Sequence, residues 1–253
     1  MAYNLNDKLV IAISSRALFD LEEENQIFEK DGLDAYYKYQ LENEDKSLKK
    51  GTGYRLVENI LKINSFFSSD ERQVEVIILS KNNAATSLRI TNAINDLKLD
   101  IIRSAWTSGT NISNYLKAFK VDLFLSADDN DVLNAIENGV AAAKILHSNE
   151  NIHNISNEQV RIAFDGDAVL FSEESELVYK NHGLEAFIEH EKENRNNPLE
   201  MGPFAKLLLT IAKIQAKFPT DKSPIRTALV TARSAPTHER VIKTFNLWGV
   251  RVD

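Results

Sequence analysis

Two aspartates spaced by one residue stand in the run Phe164-Asp165-Gly166-Asp167-Ala168-Val169-Leu170-Phe171, directly after the apolar stretch from Val160 to Phe164. At the carboxyl end of a buried parallel strand, such a pair faces the crevice in which α/β sheets bind ligands. Neighbouring carboxylates repel unless a proton or a cation joins them, and their hard oxygens suit Mg²⁺. A lone Asp-x-Asp also forms ordinary solvated turns, so the pair gains meaning only in company. Thr231 supplies it, immediately after a second apolar run in Leu229-Val230-Thr231-Ala232-Arg233-Ser234. Taken alone, Thr231 would more often cap the helix expected from Ala235 onward.

The elements that must position these groups occur twice. Leu9–Phe28 lies over Val160–Tyr179 with Ile11 on Ile162, an offset of 151. The same offset sets Ala17 on Ala168, Gly32-Leu33 on Gly183-Leu184, Gly51 on Gly202, Arg89 on Arg240 and Asn95 on Asn246. A register held without net gap over about ninety residues is the signature of a repeated architecture and is read as a tandem duplication. Each unit opens with a short apolar run typical of strands buried on both faces. Next comes a helix with a partial apolar face (Leu33, Tyr36, Tyr37, Gln40; Leu184, Phe187, Ile188, Glu191). A second helix follows (Tyr54 to Phe67; Phe204 to Phe218), then a buried strand (Val74 to Leu79; Ile225 to Val230) and a further helix (Ala84 to Leu97; Pro236 to Leu247). The first unit continues with a strand near Ile101–Ala105, a helix near Ser113–Phe119 and the strand from Val121 to Leu125. Asp128 or Asp129 then caps a helix expected to run through Ala143. Alternating strands and helices predict α/β units with parallel sheets. The expected division is a first unit at 1–149, a polar, Asn-rich linker at 150–158 and a second unit at 159–253. The second copy stops at the counterpart of Ile102, so the sequence is expected to be a fragment.

The strand–DxD and strand–Thr pair resembles motifs one and two of the haloacid dehalogenase superfamily, with residues 172–224 as a helical cap insertion. Longer strings narrow the likeness. RIAFDGDAVLFSEESE (Arg161 to Glu176), TALVTARSAPTHERVIKT (Thr227 to Thr244), IAISSRALFD (Ile11 to Asp20), YLKAFKVDLFLSADDNDV (Tyr115 to Val132) and NGVAAAKIL (Asn138 to Leu146) are similar to the cytosolic 5′-nucleotidase I family. The resemblance implies a fold of two tandem Rossmann-like units with cap insertions. It also implies Mg²⁺-dependent hydrolysis of nucleoside 5′-monophosphates of the AMP or IMP type through an aspartyl-phosphate. Asp165 would be the nucleophile and Asp167 the acid and base. Thr231, Ala232, Gly166 and Arg233 would hold phosphate, and the Asp165 carboxylate with the Asp167 backbone carbonyl would hold Mg²⁺. The superfamily's later lysine and closing acid would lie past Val252, so the chain as written is expected to be weakly active or inactive. The first unit has Ser14 and Arg16 where the second has Asp165 and Asp167, and Ser80 in place of Thr231. It should not hydrolyse phosphate. Ser14, Arg16, Ser80 and Asn82 are candidate effector or substrate contacts, against a purely structural role. A non-catalytic nucleotide-binding or regulatory protein, or a phosphatase of another small monoester, remains open beside the nucleotidase.

Composition limits the alternatives. A net charge of −7 argues against a partner that is a nucleic acid polymer. The absence of cysteine excludes disulfides and thiolate metal sites. No apolar run reaches membrane-spanning length and no secretory signal opens the chain, so a cytoplasmic protein is expected; assembly into a homo-oligomer is left open. Among weaker candidates, Lys117 is expected on a helix surface, Asp128, Asp129 and Asp131 at a helix start, and Thr107-Ser108-Gly109-Thr110 in a strand-to-helix loop. Ser80-Lys81-Asn82-Asn83 is expected to lack partners that would make it a site. Arg233 is expected at phosphate or ribose, or in a surface ion pair. His182, His190 and His238 are expected to be exposed, and Trp106 and Trp248 to pack in the core. Glu22-Glu23-Glu24 and Glu173-Glu174 are expected as solvated helix starts.

Overall fold

The computed structural model describes residues 4–147 and 159–252. The chain divides into two compact units, Met1–Ser156 and Asn157–Asp253. The linker expected at 150–158 lies outside the described residues.

Unit 1 runs β1 (Leu9–Ile13), α1 (Ser15–Leu18), β2 (Phe19–Asp20), α2 (Glu22–Glu42), β3 (Lys49–Lys50), α3 (Tyr54–Lys62), β4 (Val74–Ser80), α4 (Leu88–Asp96), β5 (Arg103–Trp106), α5 (Ser113–Ala118), β6 (Leu123–Ser126), α6 (Asp129–Glu137) and β7 (Ala142–Lys144). Five strands form a parallel sheet in the order β5-β4-β1-β6-β7. Because β1 is flanked by β4 and β6 and covered on both faces, all five of its residues are buried, as an unbroken apolar run requires. Val10, Ala12, Ile77, Leu79, Leu116 and Phe124 belong to one core cluster. The two-residue antiparallel pairing of β2 with β3 brackets α2, and α2 bends at Gly32, whose φ of 84° suits a residue without a side chain.

Unit 2 runs β8 (Val160–Asp165), a five-residue turn with π-type closure (Gly166–Leu170), α7 (Glu174–Glu193), α8 (Ala205–Gln215), β9 (Ile225–Val230) and α9 (His238–Trp248). β8 pairs in parallel with β9 from Val160↔Ile225 to Asp165↔Val230. An isolated antiparallel bridge, Phe171↔Met201, stands where unit 1 pairs β2 with β3. α7 bends at Gly183, with φ 82°. A Cβ at Gly202 would lie 2.3 Å from the Phe171 carbonyl oxygen, and one at Gly51 would lie 2.7 Å from the Phe19 carbonyl carbon, so neither close approach tolerates a side chain.

Several expectations need correction. The helix expected to run through Ala143 ends at Glu137; the chain then turns through Gly139 (φ 75°) and enters β7, which pairs with β6. The strand near Ile101–Ala105 begins later, at Arg103, and the helices expected from Ala84 and Pro236 begin at Leu88 and His238. β8 is not buried on both faces: Arg161, Ala163 and Asp165 are exposed, because among the described residues it has β9 as its one partner strand. Leu33 and Leu184 are also exposed. Glu24 is no solvated helix start; it is 5% exposed and bonds Arg89 at 2.6 Å.

That pair belongs to a buried knot built in both units. In unit 1 the Arg89 guanidinium donates to Glu24 (2.6 Å), to Gln40 (3.4 Å) and to the Lys46 carbonyl (3.1 Å). In unit 2 Arg240 donates to Glu191 (3.1 Å) and to the Asn197 carbonyl (2.8 Å), and Ser175 donates to Glu191 at 2.8 Å. Ser175 stands where unit 1 has Glu24, and Glu191 where unit 1 has Gln40. The arginine keeps its place while its carboxylate has moved from one helix position to the other. Removing one partner of a buried pair strands the other charge, at a cost of about 3–5 kcal/mol. Glu24→Ser should therefore destabilise unit 1 by about that amount, and adding Gln40→Glu should recover most of the loss. Urea unfolding of the two single variants and the double variant measures this; strictly additive losses would count against the exchange.

Candidate functional site

The carboxyl ends of β8 and β9 bring the expected residues of unit 2 together. Asp165 closes β8 opposite Val230, and its Oδ1 accepts the Gly166 N–H at 2.7 Å. The other carboxylate oxygen has no protein partner among the described residues. The chain then makes its five-residue turn, in which Phe171 N–H donates to the Gly166 carbonyl at 3.0 Å and Ala168 takes a left-handed φ of 59°. Unit 1 closes the same corner in four residues, with Phe19 N–H donating to the Ser15 carbonyl. Unit 2 thus carries one extra residue here, so Val169, Leu170 and Phe171 take the places of Ala17, Leu18 and Phe19. Setting Ala168 on Ala17 is corrected accordingly: Ala168 lies in the bulge.

Thr231 follows β9, and its Oγ1 would lie 3.5 Å from a Cβ built on Gly166, so the hydroxyl faces the start of the Asp165–Asp167 loop. Its Oγ1 accepts the Arg233 N–H at 3.2 Å, and α9 begins only at His238, so the expected helix cap becomes a loop contact. Ala232 is exposed beside it.

Arg233 is not on the surface. Its side chain is 2% exposed and grips Asp167 through two bonds, Nε to Oδ2 at 2.9 Å and Nη2 to Oδ1 at 2.5 Å, while Nη1 donates to Glu191. Its guanidinium lies 5.3 Å from the Phe187 ring centre, a cation–π arrangement. Burial works against the charged guanidinium, but the hydrogen bonds and charges of Asp167 and Glu191 outweigh it and raise the Arg233 pKa. Asp167 therefore has both oxygens engaged. Glu191 and Phe187 were not singled out as functional residues; the signal was an acid on the otherwise apolar face of α7. His190 is half-buried, with Nε2 3.3 Å from Glu174, while His182 and His238 are exposed. Trp248 packs against Phe171 at 5.7 Å.

Among the described residues no group of three or more His, Cys, Asp or Glu could hold a metal ion. Asp165, with one oxygen uncommitted, offers a hard donor of the class Mg²⁺ takes; the Asp167 side chain is already occupied. The residues present form part of a hard-cation site and not the whole of one.

In unit 1 the matching edge gathers Ser14, Arg16, Ser80 and Asn82 around a cavity of about 650 Å³. Ser14 caps α1, accepting from Ala17 N–H at 3.3 Å, and its hydroxyl meets Ser126 at 3.3 Å; Ser15 meets Ser80 at 3.0 Å. Asn82 occupies the place of Arg233 and accepts from the Tyr36 hydroxyl at 3.0 Å. The Ser80–Asn83 segment, expected to lack partners, lines this cavity. Asp128 caps α6 through Asp131 N–H, Asp131 pairs with Lys81, and Asp129 pairs with Lys144. Thr107 and Thr110 close their loop on one another, and Lys117 is exposed on α5.

Residues 1–253 match the family described as 5′-nucleotidase. The chain is 36% identical over 254 aligned residues to human "Cytosolic 5'-nucleotidase 1B", covering 97% of this chain and 42% of that relative. Among the described residues no helix is long and apolar enough to cross a membrane.

The knot around Glu191 carries a measurable consequence. Glu191→Ala would leave both Arg233 and Arg240 without their shared carboxylate, and the stability of unit 2 should fall by about 3–5 kcal/mol. Urea titration followed by Trp248 fluorescence in a Trp106→Phe background checks it; an unchanged midpoint would show that the ion pairs carry no net stability.

Proposed function

The chain belongs to the 5′-nucleotidase family, and from that premise we propose that it hydrolyses nucleoside 5′-monophosphates, with Asp165 as the nucleophile. Because the chain spans 42% of the length of the relative it matches, the activity of the whole protein is part of this proposal. The observation that carries it is the meeting of a carboxylate with an uncommitted oxygen, at the end of β8, and the Thr231 hydroxyl, at the end of the neighbouring β9. Asp165 attacks phosphorus, the bond from phosphorus to the nucleoside 5′-oxygen breaks, and Asp167 in its acid form delivers a proton to that oxygen. Asp167 then takes a proton from water as the water attacks phosphorus, releasing phosphate and restoring Asp165. Thr231 and the Ala232 N–H hold the phosphoryl oxygens, where preset donors lower the barrier most, and the Gly166 N–H joins them once it leaves Asp165 Oδ1. Mg²⁺, held in part by Asp165 and by the Asp167 backbone carbonyl, would screen the charge on the transferring group. For Asp167 to act, Arg233 must release at least one of its oxygens, and an incoming phosphate is an anion that Arg233 can bind instead.

We further propose that the two units are copies of one haloacid dehalogenase-like unit, the first without acid chemistry. The matched bends at Gly32 and Gly183, the matched Gly51 and Gly202 crossings and the twin arginine knots support this. A cytoplasmic location follows the cytosolic relative and is a proposal of the same kind. A second reading, a nucleotide-binding protein without turnover, is favoured by the double grip of Arg233 on Asp167.

One assay separates these. Phosphate release from AMP, IMP, deoxynucleoside monophosphates and sugar phosphates, with and without Mg²⁺, should be greatest for a nucleoside monophosphate and should need the metal. Asp165→Asn should lower turnover by about a thousandfold or more while sparing the fold. Turnover that survives this change would move the nucleophile elsewhere, release indifferent to Mg²⁺ would count against the mechanism, and no release from any substrate would favour the binding protein.

A further inference from the structure

We infer that unit 1 holds a second ligand site, one that binds a nucleoside phosphate without cleaving it. The cavity of about 650 Å³ at the carboxyl ends of β1, β4 and β6 lies within the size range of small-molecule sites. Its lining divides by chemistry. The floor carries Ser14, Ser15, Ser80 and Arg16, which can all donate hydrogen bonds to an anion, where unit 2 has two carboxylates. The wall is aromatic: Phe28 and Tyr36 on α2 meet edge to face at 5.9 Å, and the Phe28 side chain is 48% exposed, so its ring can accept a flat partner. A donor floor beneath an aromatic wall fits a phosphate joined to a planar base.

Three further observations support the assignment. Asn82 Nδ2 is buried and has no hydrogen-bond partner, although its Oδ1 is engaged by Tyr36. A buried donor left unpaired is uncommon, and a ligand acceptor at this wall would satisfy it. Asn82 is also shorter than the Arg233 that stands in its place in unit 2, which leaves room beside Tyr36. Finally, four acids line the cavity (Glu24, Glu29, Asp128 and Asp131) against two cations, Arg16 and Lys81, so an anion is admitted only where those cations and the hydroxyls meet it. Glu24 is held by Arg89 and Asp131 by Lys81, while Arg16 and Lys81 are engaged, among the described residues, through partly exposed ion pairs with Glu22 and Asp131. Such pairs are weak and can be exchanged for phosphate. No cleavage follows binding: the Ser14 hydroxyl is engaged by Ser126 and the Ala17 N–H, and among the described residues it makes no hydrogen bond to a carboxylate or imidazole that would activate it.

The test reads binding, so it does not depend on turnover at Asp165. The 253-residue chain carrying Asp165→Asn is titrated calorimetrically with a methylene-phosphonate analogue of AMP, with adenosine and with inorganic phosphate. Adding Ser14→Asp sets a carboxylate where the phosphate would lie. This should remove one bound analogue per chain, or weaken that site by about tenfold or more, and leave any other binding unchanged. Phe28→Ala, at an exposed position, should weaken the same site and serves if Ser14→Asp fails to fold. Unchanged stoichiometry and affinity in a folded Ser14→Asp or Phe28→Ala variant would overturn the site. Equal affinity for adenosine or for phosphate alone would overturn the class of ligand.

Discussion

A buried guanidinium has to be matched in charge and in hydrogen bonds, because leaving it unpaired in a low-dielectric interior costs more than most single contacts can return. In unit 2 that demand is concentrated on Glu191, which accepts from both Arg240 and Arg233 and from the Ser175 hydroxyl. One carboxylate thereby ties the end of α7 to α9 and to the loop after β9. Through Arg233 the same network reaches Asp167. The packing of the helical insertion and the availability of the second aspartate are parts of one electrostatic arrangement. A change at Glu191 must be felt at Asp167 although the two residues share no bond.

The sheet supplies the other constraint. Parallel strands end at a common edge, and whatever follows each strand is delivered to that edge without further design. Ser14, Ser80 and Ser126 arrive there in unit 1, and Asp165 and Thr231 in unit 2. The corner after the first strand differs by one residue. The four-residue turn of unit 1 seats Ser14 as a helix cap, whereas the five-residue turn of unit 2 leaves one Asp165 oxygen uncommitted and puts Ala168 in a left-handed conformation. A small amount of backbone irregularity sits beside the residue to which the chemistry is assigned, as is common at functional corners.

Asp165, Asp167 and Thr231 were legible because each follows closely on an unbroken apolar run, and the existence of such strands is what sequence patterns locate best. The placement of Arg233 was not legible. Its partner Glu191 lies 42 residues away on a helix whose bend at Gly183 redirects the face it presents. The extra residue at Ala168 was hidden because the repeat returns to its original offset by Gly183. β7 was missed since Ala141, Ala142 and Ala143 have high helix propensity, and pairing with β6 overrode it. Burial of β8 was overread because an apolar run reports what a strand can bury, while its neighbours decide what it does bury.

On the proposal that the two units are copies of one unit, the exchange of Glu24 and Gln40 for Ser175 and Glu191 bears on how they diverged. If arginine and carboxylate had drifted independently, one unit would be expected to retain a stranded charge; instead each arginine meets a buried acid, placed on a different turn of the corresponding bent helix, and Arg240 also has Glu174 at 3.6 Å. The demand of the buried guanidinium persisted while the residue meeting it did not. The edge of the sheet shows the opposite. There unit 1 has Ser14 and Arg16 where unit 2 has Asp165 and Asp167, yet an aromatic pair stands on the bent helix in both units, as Phe28 with Tyr36 and as Tyr179 with Phe187. The inner ring of each pair has a structural contact, Tyr36 with Asn82 and Gln40 and Phe187 with Arg233, while the outer rings, Phe28 and Tyr179, are about half exposed. Retention of such an outer ring in the unit that lacks the acids is more readily explained by a ligand that is held there than by a structural remnant.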